Sequence, residues 1–355
     1  MNSMERVLKA LNHEEADRVP VYPLWAGVTR KFVGADYKTW STDAETCANG
    51  YIEMARRYPD IDCIVTLIDL SLECTAWGQE LIYSESDAAH PNYENQVIQS
   101  VDDYGKIKHV DYRTCDRMMM HIDTCRRLVD HFGDEKPVVA FVYGPLGTLS
   151  MLRNQQKMYM DIYDDPDAVR GACMNIARTL KDYAEALCDT GVAAIMWDTL
   201  FASGSIMSKE MWDDMEGDAI QMCAEAVAAK GCMNMIHNCG GDIYFDAQIK
   251  RMHPAAISFL YPPNDCKDFA ETKEKYGDQT TLIGAIPPSM AVFGSDKAFD
   301  EECMRQIDTM AADGGFMLAP GCELLNPASI PRGERMIEVA KTYGVYGEKS
   351  ATEAA

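Results

Sequence analysis

The chain has no apolar stretch approaching about 18 residues, the minimum that a membrane-spanning helix requires. Basic residues are also scarce, because 33 Lys and Arg stand against 56 Asp and Glu, for a formal net charge of −23. No Lys/Arg-rich run offsets this balance locally. We therefore expect neither a membrane-spanning protein nor one that binds a nucleic-acid backbone.

The sequence also has no CxxC pair, and its thirteen cysteines are scattered and odd in number. No secretory leader is recognisable at the start of the chain. A disulfide framework is therefore not expected, and this cysteine usage favours a reducing, cytoplasmic location.

Short apolar runs without polar alternation recur along the chain, as is typical of strands buried on both faces. They cover residues 19–25, 63–69, 138–143, 193–198, 233–237, 256–260, 281–285 and 315–319. Prolines inside the first run make it an imperfect strand. Between the runs lie amphipathic helical patterns, and the clearest cover 167–190, 211–229, 266–276 and 298–312.

Alternating strands and helices, repeated to eight strands, predict an α/β fold of the (β/α)8 TIM-barrel class. An open doubly wound sheet is the alternative. A helix over 3–11, capped by Ser3, forms an N-terminal extension. The barrel is expected to be one domain over 1–346, with a flexible tail over 347–355. Residues 84–134 are predicted to be an insertion after the second strand, containing a helix over 117–132, that covers the barrel mouth.

Active sites of such barrels lie at the carboxyl ends of the strands. There the sequence places His237-Asn-Cys239 after the fifth run and Cys322 after the eighth. Zinc prefers nitrogen and sulfur donors, and a catalytic site uses three protein ligands with one position open. Glycines beside these residues allow a close backbone approach. The pattern suggests a zinc site, although each cysteine could instead be a small buried apolar residue.

Several segments resemble the uroporphyrinogen decarboxylase superfamily over nearly the whole chain. They are 20–27, 69–78, 144–149, 198–208, Ile283-Gly-Ala-Ile-Pro-Pro288 and Ala319-Pro-Gly-Cys322. His-x-Cys followed by a distant Pro-Gly-Cys resembles the corrinoid-dependent methyltransferase branch. That resemblance implies that His237, Cys239 and Cys322 bind Zn²⁺. It also implies methyl transfer to or from the cobalt of a corrinoid.

Departures from the family pattern narrow the implied activity. Uroporphyrinogen decarboxylases carry Arg-Gln-Ala-Gly-Arg where this chain has Leu24-Trp-Ala-Gly-Val28. Without those arginines, the bidentate partners of a polycarboxylate porphyrinogen are missing. Thiol-methylating relatives have an acidic residue after the sixth strand, where this chain has Tyr261-Pro-Pro263. Coenzyme M is therefore disfavoured as the methyl acceptor.

The strand tips instead carry flat apolar side chains suited to an aromatic substrate. These substrate candidates are Trp25, Tyr143, Phe201, Met207 and Tyr261. They resemble the first methyltransferase of O-demethylase systems, which removes the methyl group of a methoxylated aromatic. Packing at the strand ends is the alternative role for each.

Three carboxylates near the tips are candidates for catalysis: Asp69, Glu73 and Asp198. Each could position a substrate hydroxyl, supply a proton or orient the zinc histidine. Helix capping or a salt bridge under the rim is the structural alternative. The six remaining histidines lie in predicted helices or loops, where solvated or packed side chains are expected.

Three functions remain open from the sequence. The first is a zinc methyltransferase that acts on a small methyl donor or acceptor with a separate corrinoid protein, since the chain has no cobalamin-binding Asp-x-His-x-x-Gly motif. The second is a cofactor-free decarboxylase, and the third is a non-catalytic binding barrel. The methyl substrate, the direction of transfer and the oligomeric state stay open, with a homodimer among the options.

Overall fold

The computed structural model describes residues 1–84, 87–324 and 327–347. The strands are β1 (Ile64–Thr66), β2 (Leu81–Ile82), β3 (His90–Pro91), β4 (Val138–Tyr143), β5 (Ala194–Asp198), β6 (Met233–Asn238), β7 (Ala256–Phe259), β8 (Thr281–Ile286) and β9 (Phe316–Pro320). The predicted tail lies outside the described residues beyond Gly347.

Helices alternate with the strands along most of the chain. The α-helices are α1 (Ser3–Leu11), α2 (Tyr37–Thr42), α3 (Ala44–Arg57), α4 (Asp116–Phe132), α5 (Pro145–Arg153), α6 (Gln155–Asp164), α7 (Pro166–Cys188), α8 (Lys209–Trp212), α9 (Asp218–Ala229), α10 (Phe245–Met252), α11 (Phe269–Tyr276), α12 (Pro288–Phe293), α13 (Asp296–Met310) and α14 (Ile330–Thr342). A π-helical turn, Asp213–Gly217, joins α8 to α9, and 3₁₀ turns cover Gly27–Phe32, Glu73–Trp77, Val101–Lys106, Tyr112–Thr114 and Pro327–Ser329.

Seven of the strands form one parallel sheet in the order β1-β4-β5-β6-β7-β8-β9. Each strand neighbours the next one along the chain, with no reversal of the order. A doubly wound sheet would reverse its order at a switch point, so that alternative is wrong. The TIM-barrel-like class is confirmed. Strands β4, β5, β8 and β9 are buried at every position, as their unalternating sequences predict.

The predicted first strand, 19–25, does not form a regular strand, although it occupies the eighth position. Tyr22 N–H donates to Leu318 of β9 at 2.9 Å, and Leu318 N–H donates to Pro20 at 2.9 Å. On the other side, Val21 C=O accepts from Asp62, two residues before β1. Pro20 and Pro23 have no N–H to donate, so only a short bridge forms where a ladder was predicted.

Helix α1 begins where the sequence predicts, but its cap differs. Asn2, not Ser3, is the N-cap: its side chain accepts from Glu5 N–H at 2.8 Å, and Glu5 accepts from Asn2 N–H at 3.0 Å. This reciprocal pair is a capping box. Ser3 is the first helical residue, and its hydroxyl donates to Ile61 C=O instead.

The predicted insertion contains both irregular and regular structure. Antiparallel β2 and β3 form a small hairpin. The polar segment that follows is hydrogen-bonded to the barrel helices. Arg153 of α5 donates to Gln99 C=O at 2.7 Å, and Asn175 of α7 donates to Ile107 C=O at 2.9 Å. The predicted helix, now α4, connects parallel β1 and β4, so it is the ordinary crossover helix of that unit. Among the described residues, no helix combines the length and the apolar character needed to cross a bilayer.

Candidate metal centre

The three predicted zinc ligands converge in space. The side-chain donor atoms of His237, Cys239 and Cys322 all lie within 4.8 Å of one another. Among the described residues, this is the one group of three or more His, Cys, Asp or Glu side chains so arranged. His237 is buried, and the two cysteines are partly accessible to solvent.

Curvature of the sheet brings these residues together. His237 lies in β6, Cys239 follows it directly, and Cys322 lies two residues after β9. In a flat sheet, β6 and β9 would be separated by three strand spacings, or roughly 14 Å. The observed convergence therefore depends on the barrel-like curl, which points the strand ends toward one centre.

Glycines beside the cysteines let the backbone approach closely. A Cβ added to Gly321 would lie 2.7 Å from Leu260 Cα and 2.5 Å from Leu260 Cδ1. Gly321 N–H also donates to Ile286 C=O at 2.9 Å. This loop therefore crosses tightly over the end of β7 and carries Cys322 toward β6. A Cβ on Gly240 would lie 2.5 Å from Ser203 Oγ, so the Cys239 loop is equally close to its neighbour.

Asn238 braces the loop that carries Cys239. Its amide donates to Thr199 C=O at 2.8 Å, and its side-chain oxygen accepts from Gly240 N–H at 3.0 Å. The side chain is fully buried, so these bonds satisfy groups that would otherwise be costly to bury. Asn238 thus fixes the backbone on both sides of Cys239 without belonging to the donor set.

Ser258 orients the histidine. Its hydroxyl lies 3.1 Å from His237 Nδ1, and the two residues are register partners on β6 and β7. The Phe141 ring packs 5.7 Å from the imidazole, centroid to centroid. With Nδ1 engaged by a hydroxyl, Nε2 is the nitrogen left for a metal, a common arrangement for ligating histidines.

The Cys239 and Cys322 thiols and the His237 imidazole influence one another's pKa values. Hydrogen bonding to the Cys239 thiol lowers the pKa of Cys322 against the opposing effect of burial, and His237 lowers it further. The same interaction raises the pKa of Cys239. Burial alone would lower the pKa of His237, but the Cys322 thiolate beside it raises that pKa overall. The site therefore favours one thiolate at neutral pH.

This donor set fits zinc. Bond lengths of about 2.0–2.3 Å place tetrahedral nitrogen and sulfur ligands roughly 3.5–3.8 Å apart. Donor atoms within 4.8 Å need only a small contraction to reach that spacing. Two sulfurs and one imidazole exclude a hard-cation site for Mg²⁺ or Ca²⁺, which require oxygen ligands.

Ser258→Ala is expected to weaken zinc binding by about 10–100-fold, because it frees the imidazole to rotate and to change tautomer. Affinity can be measured by competition with a chromophoric chelator. Thr281→Ala is the control, since the Thr281 hydroxyl is also buried but lies at the start of β8 and donates to Ala10 C=O at 2.9 Å. Equal affinities in the two variants would show that Ser258 does not orient the histidine.

Asp198 lies next to the candidate zinc ligand His237. It ends β5 and is the register partner of His237. Burial raises its pKa to about 7, with His237 opposing and Cys322 adding to that shift. One carboxylate oxygen accepts from Leu200 N–H at 3.1 Å. Asp198 is therefore placed to hold or to pass a proton beside the metal centre.

Asp69 and Glu73 are both buried but differ in their partners. Arg117 of α4 donates to both oxygens of Asp69, at 2.5 and 3.0 Å, so this carboxylate is bidentately paired. Glu73 accepts from Tyr143 N–H at 3.2 Å through Oε1, whereas its buried Oε2 has no hydrogen-bond partner. Burial raises the pKa of Glu73 to about 8. Burial thus favours the protonated form of Glu73, and its Oε2 has no hydrogen-bond partner within the protein.

Stability should fall with rising pH through Glu73. Its pKa is about 8 in the folded protein and about 4.5 in the unfolded chain, so the folded chain holds one more proton between these values. The favourable contribution is complete below about pH 4.5 and is lost as pH rises through about 8. Glu73→Gln should remove this part of the pH dependence of the free energy of unfolding, measured by urea titration. Glu94→Gln, an exposed carboxyl, is the control. An unchanged pH slope in Glu73→Gln would contradict the assignment.

The predicted substrate-binding residues differ in their surroundings. Tyr143 is buried against Gly147 and lies near Asp198 and Cys239. It is therefore close to the candidate metal site. Trp25 packs against Tyr58, with ring centroids 4.9 Å apart, and on Gly333 of α14. These contacts are those of a packing residue between the strand ends and the helices.

The remaining substrate candidates also differ in exposure. Phe201 is buried, with its ring 6.3 Å from that of Tyr159. Met207 is buried, and its C=O accepts from Tyr244 at 2.7 Å. Tyr261, after β7, is 52% exposed.

Sequence reasoning missed two carboxylates in this region, the half-buried Glu323 and the buried Glu216. Glu323 follows Cys322 and accepts from Gly27 N–H at 2.8 Å, and burial raises its pKa to about 8. Glu216 lies in the π-helical turn and accepts from Leu146 N–H at 2.8 Å and from Trp212 Nε1–H at 2.7 Å. Proximity to Cys322 was a signal for the first. No local motif marks the second, although π-turns are frequent at functional sites.

Comparison with solved structures identifies proteins of similar fold. Three solved structures are similar over almost the full length of both chains. A methyltransferase from Methanosarcina mazei is 17% identical with a TM-score of 0.76, covering 97% of this chain and 99% of that one. A B12-independent methionine synthase from Shewanella sp. W3-18-1 is 13% identical with a TM-score of 0.56, covering 96% and 99%. A putative vitamin-B12 independent methionine synthase from Listeria monocytogenes is 11% identical with a TM-score of 0.50, covering 92% and 95%.

At these identities the structural likeness shows the fold alone. No curated protein sequence matches the chain. The family model for Uroporphyrinogen decarboxylase (URO-D) matches residues 2–343, which confirms the family resemblance seen in the sequence. Because that match spans nearly the whole chain, the protein belongs to the uroporphyrinogen decarboxylase family.

Proposed function

We propose that this protein is a zinc-dependent methyltransferase that moves a methyl group between a small substrate and the cobalt of a separate corrinoid protein. The convergence of His237, Cys239 and Cys322 within 4.8 Å carries the proposal. A decarboxylase acting without a cofactor has no need for two thiols and an imidazole at one point of the barrel mouth. The fold similarity to a methyltransferase from Methanosarcina mazei is consistent with this assignment.

Three ligands would leave one position of a tetrahedral zinc open to the substrate. Zinc bound there supplies Lewis acidity, which polarises a substrate oxygen or stabilises a substrate thiolate. The chain itself supplies the orientation: Ser258 holds the imidazole, and the glycine-flanked loops hold the two sulfurs. A fixed donor geometry would hold a bound substrate in one orientation, which is the main requirement of a displacement reaction.

We propose a methoxylated aromatic as the substrate. Tyr143, Phe201 and Met207 are buried apolar side chains contributed by the loops and strand ends on this side of the sheet. Glu73 and Asp198 add carboxyl groups whose pKa values are raised by burial to about 8 and about 7. Such groups donate hydrogen bonds when protonated and could supply the proton that a departing phenolate requires. Methyl transfer in the opposite direction, from the corrinoid to a thiol of the coenzyme M type, would use the same three donor residues.

Family membership favours one other activity, decarboxylation of a polycarboxylate. The residues at the positions expected to bind the substrate carboxylates argue against this activity. Leu24 and Val28 stand there in place of arginines, and both are apolar and almost fully buried. The buried Arg117 is already paired bidentately with Asp69. It therefore has little capacity left for a substrate carboxylate.

A spectroscopic assay tests the proposal. The zinc-loaded protein is mixed with methoxyaromatics and a Co(I) corrinoid protein, and the cobalt absorption is followed. We expect conversion of the Co(I) spectrum to that of methyl-cobalt(III), absent in Cys322→Ala. Carbon dioxide release from a porphyrinogen, with no cobalt change for any methyl donor or thiol acceptor, would instead establish the decarboxylase.

A further inference from the structure

Helix α5 begins on the same side of the barrel as the candidate metal centre, and it has no side-chain cap of its own. Its N-cap is Gly144, which directly follows Tyr143 at the end of β4. A Cβ on Gly144 would lie 2.7 Å from the carbonyl oxygen of Asp198, so a side chain does not fit there. The usual capping residues, Ser, Thr, Asp and Asn, are therefore excluded at this position.

Glu216 supplies the missing acceptor from another part of the chain. Its Oε1 accepts from Leu146 N–H at 2.8 Å. Leu146 is the second helical residue of α5, and its N–H is one of those that an N-cap side chain normally binds. Glu216 lies 70 residues later, in the π-helical turn between α8 and α9. It therefore caps α5 across space, and a carboxylate at a helix N-terminus is also favoured by the helix dipole.

The Glu216 side chain is fixed in this direction. Its Oε2 accepts from Trp212 Nε1–H at 2.7 Å, so both carboxylate oxygens are engaged. The turn around it is tightly packed, since a Cβ on Gly217 would lie 2.7 Å from Asp213 Oδ1. The carboxylate thus has little freedom to leave the N-terminus of α5.

A carboxyl group is costly at this position. Glu216 is 1% exposed, and both of its hydrogen-bond donors are neutral N–H groups. Burial raises its pKa to about 7, which the two donors oppose. An apolar side chain would be cheaper to bury, because an acid without a basic partner loses its hydration. Residues that break the local rules of stability in this way concentrate at functional sites.

The turn that Glu216 caps also carries Tyr143. The Tyr143 ring lies over the first turn of α5, because a Cβ on Gly147 would fall 2.4 Å from ring atom Cε2. Gly144 N–H donates to Asp198 C=O at 2.8 Å, which ties the same turn to the end of β5. The placement of the ring therefore depends on where α5 begins.

We propose that Glu216 is a positioning residue that holds Tyr143 against the bound substrate by capping α5 from the π-helical turn. This role rests on the proposed function, in which Tyr143 contacts a methoxylated aromatic. Glu216 acts through the backbone of α5 and not by touching the substrate. Displacing a substrate-contacting group by about 1 Å can cost about 100-fold in rate, so a distant cap can have a large effect.

Glu216→Met removes the cap with little change in side-chain volume. We expect the KM for the methoxyaromatic to rise about tenfold or more in the cobalt absorption assay, with zinc content at the wild-type level. Glu216→Gln keeps one acceptor oxygen and should recover most of the wild-type KM.

Trp212→Phe is the matched control, because it removes the other hydrogen bond of the same carboxylate and leaves the bond to Leu146 N–H in place. It should lower the stability in urea unfolding and leave KM unchanged. An unchanged KM in Glu216→Met, with a loss of stability similar to that of Trp212→Phe, would overturn the proposal.

A double variant tests whether Glu216 acts through Tyr143. Adding Glu216→Met to Tyr143→Leu should not raise KM beyond the value of Tyr143→Leu alone, because the group to be positioned is already absent. Independent effects that multiply in the double variant would overturn the proposed route through the ring.

Hydrogen–deuterium exchange distinguishes failure of this inference from failure of the proposed function. A wild-type protein that transfers no methyl group to or from cobalt would refute the function. Backbone exchange over residues 143–149 would still decide the role of Glu216. Loss of the cap should speed exchange there in Glu216→Met and not in Trp212→Phe. Equal exchange in the wild type and Glu216→Met would show that Glu216 does not hold the turn.

Discussion

Cys322→Ala is expected to lose the bound zinc while the barrel stays folded. Cys322 is one of three donors within 4.8 Å of one another. Losing an outer-shell partner of a ligand typically costs about 10–100-fold in metal affinity, so losing the ligand itself should cost more. We expect about one zinc per chain in the wild type, measured by elemental analysis after dialysis, and close to none in the variant. Cys239→Ala should behave in the same way.

Cys266→Ala is the matched control, because Cys266 is also partly accessible and lies outside the donor set. It should retain zinc at the wild-type level. Folding of each variant is checked by circular dichroism and urea unfolding. Full zinc retention in both Cys322→Ala and Cys239→Ala would show that the metal is bound elsewhere, and the proposed methyltransferase chemistry would fail with it.

The convergence of His237, Cys239 and Cys322 could be predicted from the sequence because each lies at a strand end. Strands β6 and β9 are short and apolar, so the residues just beyond them fall at the barrel mouth. A closed parallel barrel brings strand ends together whatever their separation along the chain. That is why Cys322 could be assigned to the same site as His237.

Side-chain partners that depend on strand register or on helix packing could not be predicted from sequence patterns. Ser258 meets His237 only because β6 and β7 pair in one particular register, which apolar runs do not specify. Arg117 lies 48 residues from Asp69, on a helix whose inward face depends on packing. The predicted strand 19–25 failed for a different reason, since Pro20 and Pro23 limit the hydrogen bonds that its apolar pattern suggests.

Arg117→Met is expected to destabilise the protein by about 3–5 kcal/mol, because it leaves the Asp69 carboxylate buried and unpaired. The side chains of Arg117 and Asp69 are 8% and 0% exposed, and they share two hydrogen bonds. Urea unfolding of the variant and the wild type measures the loss. Arg113→Met is the control: its ion pair with Asp111 is exposed, and such pairs contribute about 0–1 kcal/mol.

A double variant, Asp69→Leu with Arg117→Met, separates stability from function. Replacing both partners of a buried ion pair by apolar residues is often neutral or stabilising, so most of the lost free energy of unfolding should return. A double variant as unstable as Arg117→Met would show that the pair is not what the single substitution disrupts.

The activity of this double variant then decides the role of Asp69. A stable, zinc-loaded and inactive double variant would mean that the Asp69 carboxylate takes part in the reaction, one of the roles that the sequence analysis assigns to it. A stable and active one would assign the pair to packing beneath the barrel mouth, leaving proton transfer to Glu73 and Asp198. Glu73 has a free, buried Oε2, whereas both oxygens of Asp69 are engaged by Arg117. The contacts therefore favour Glu73 over Asp69 as the group that exchanges a proton with substrate.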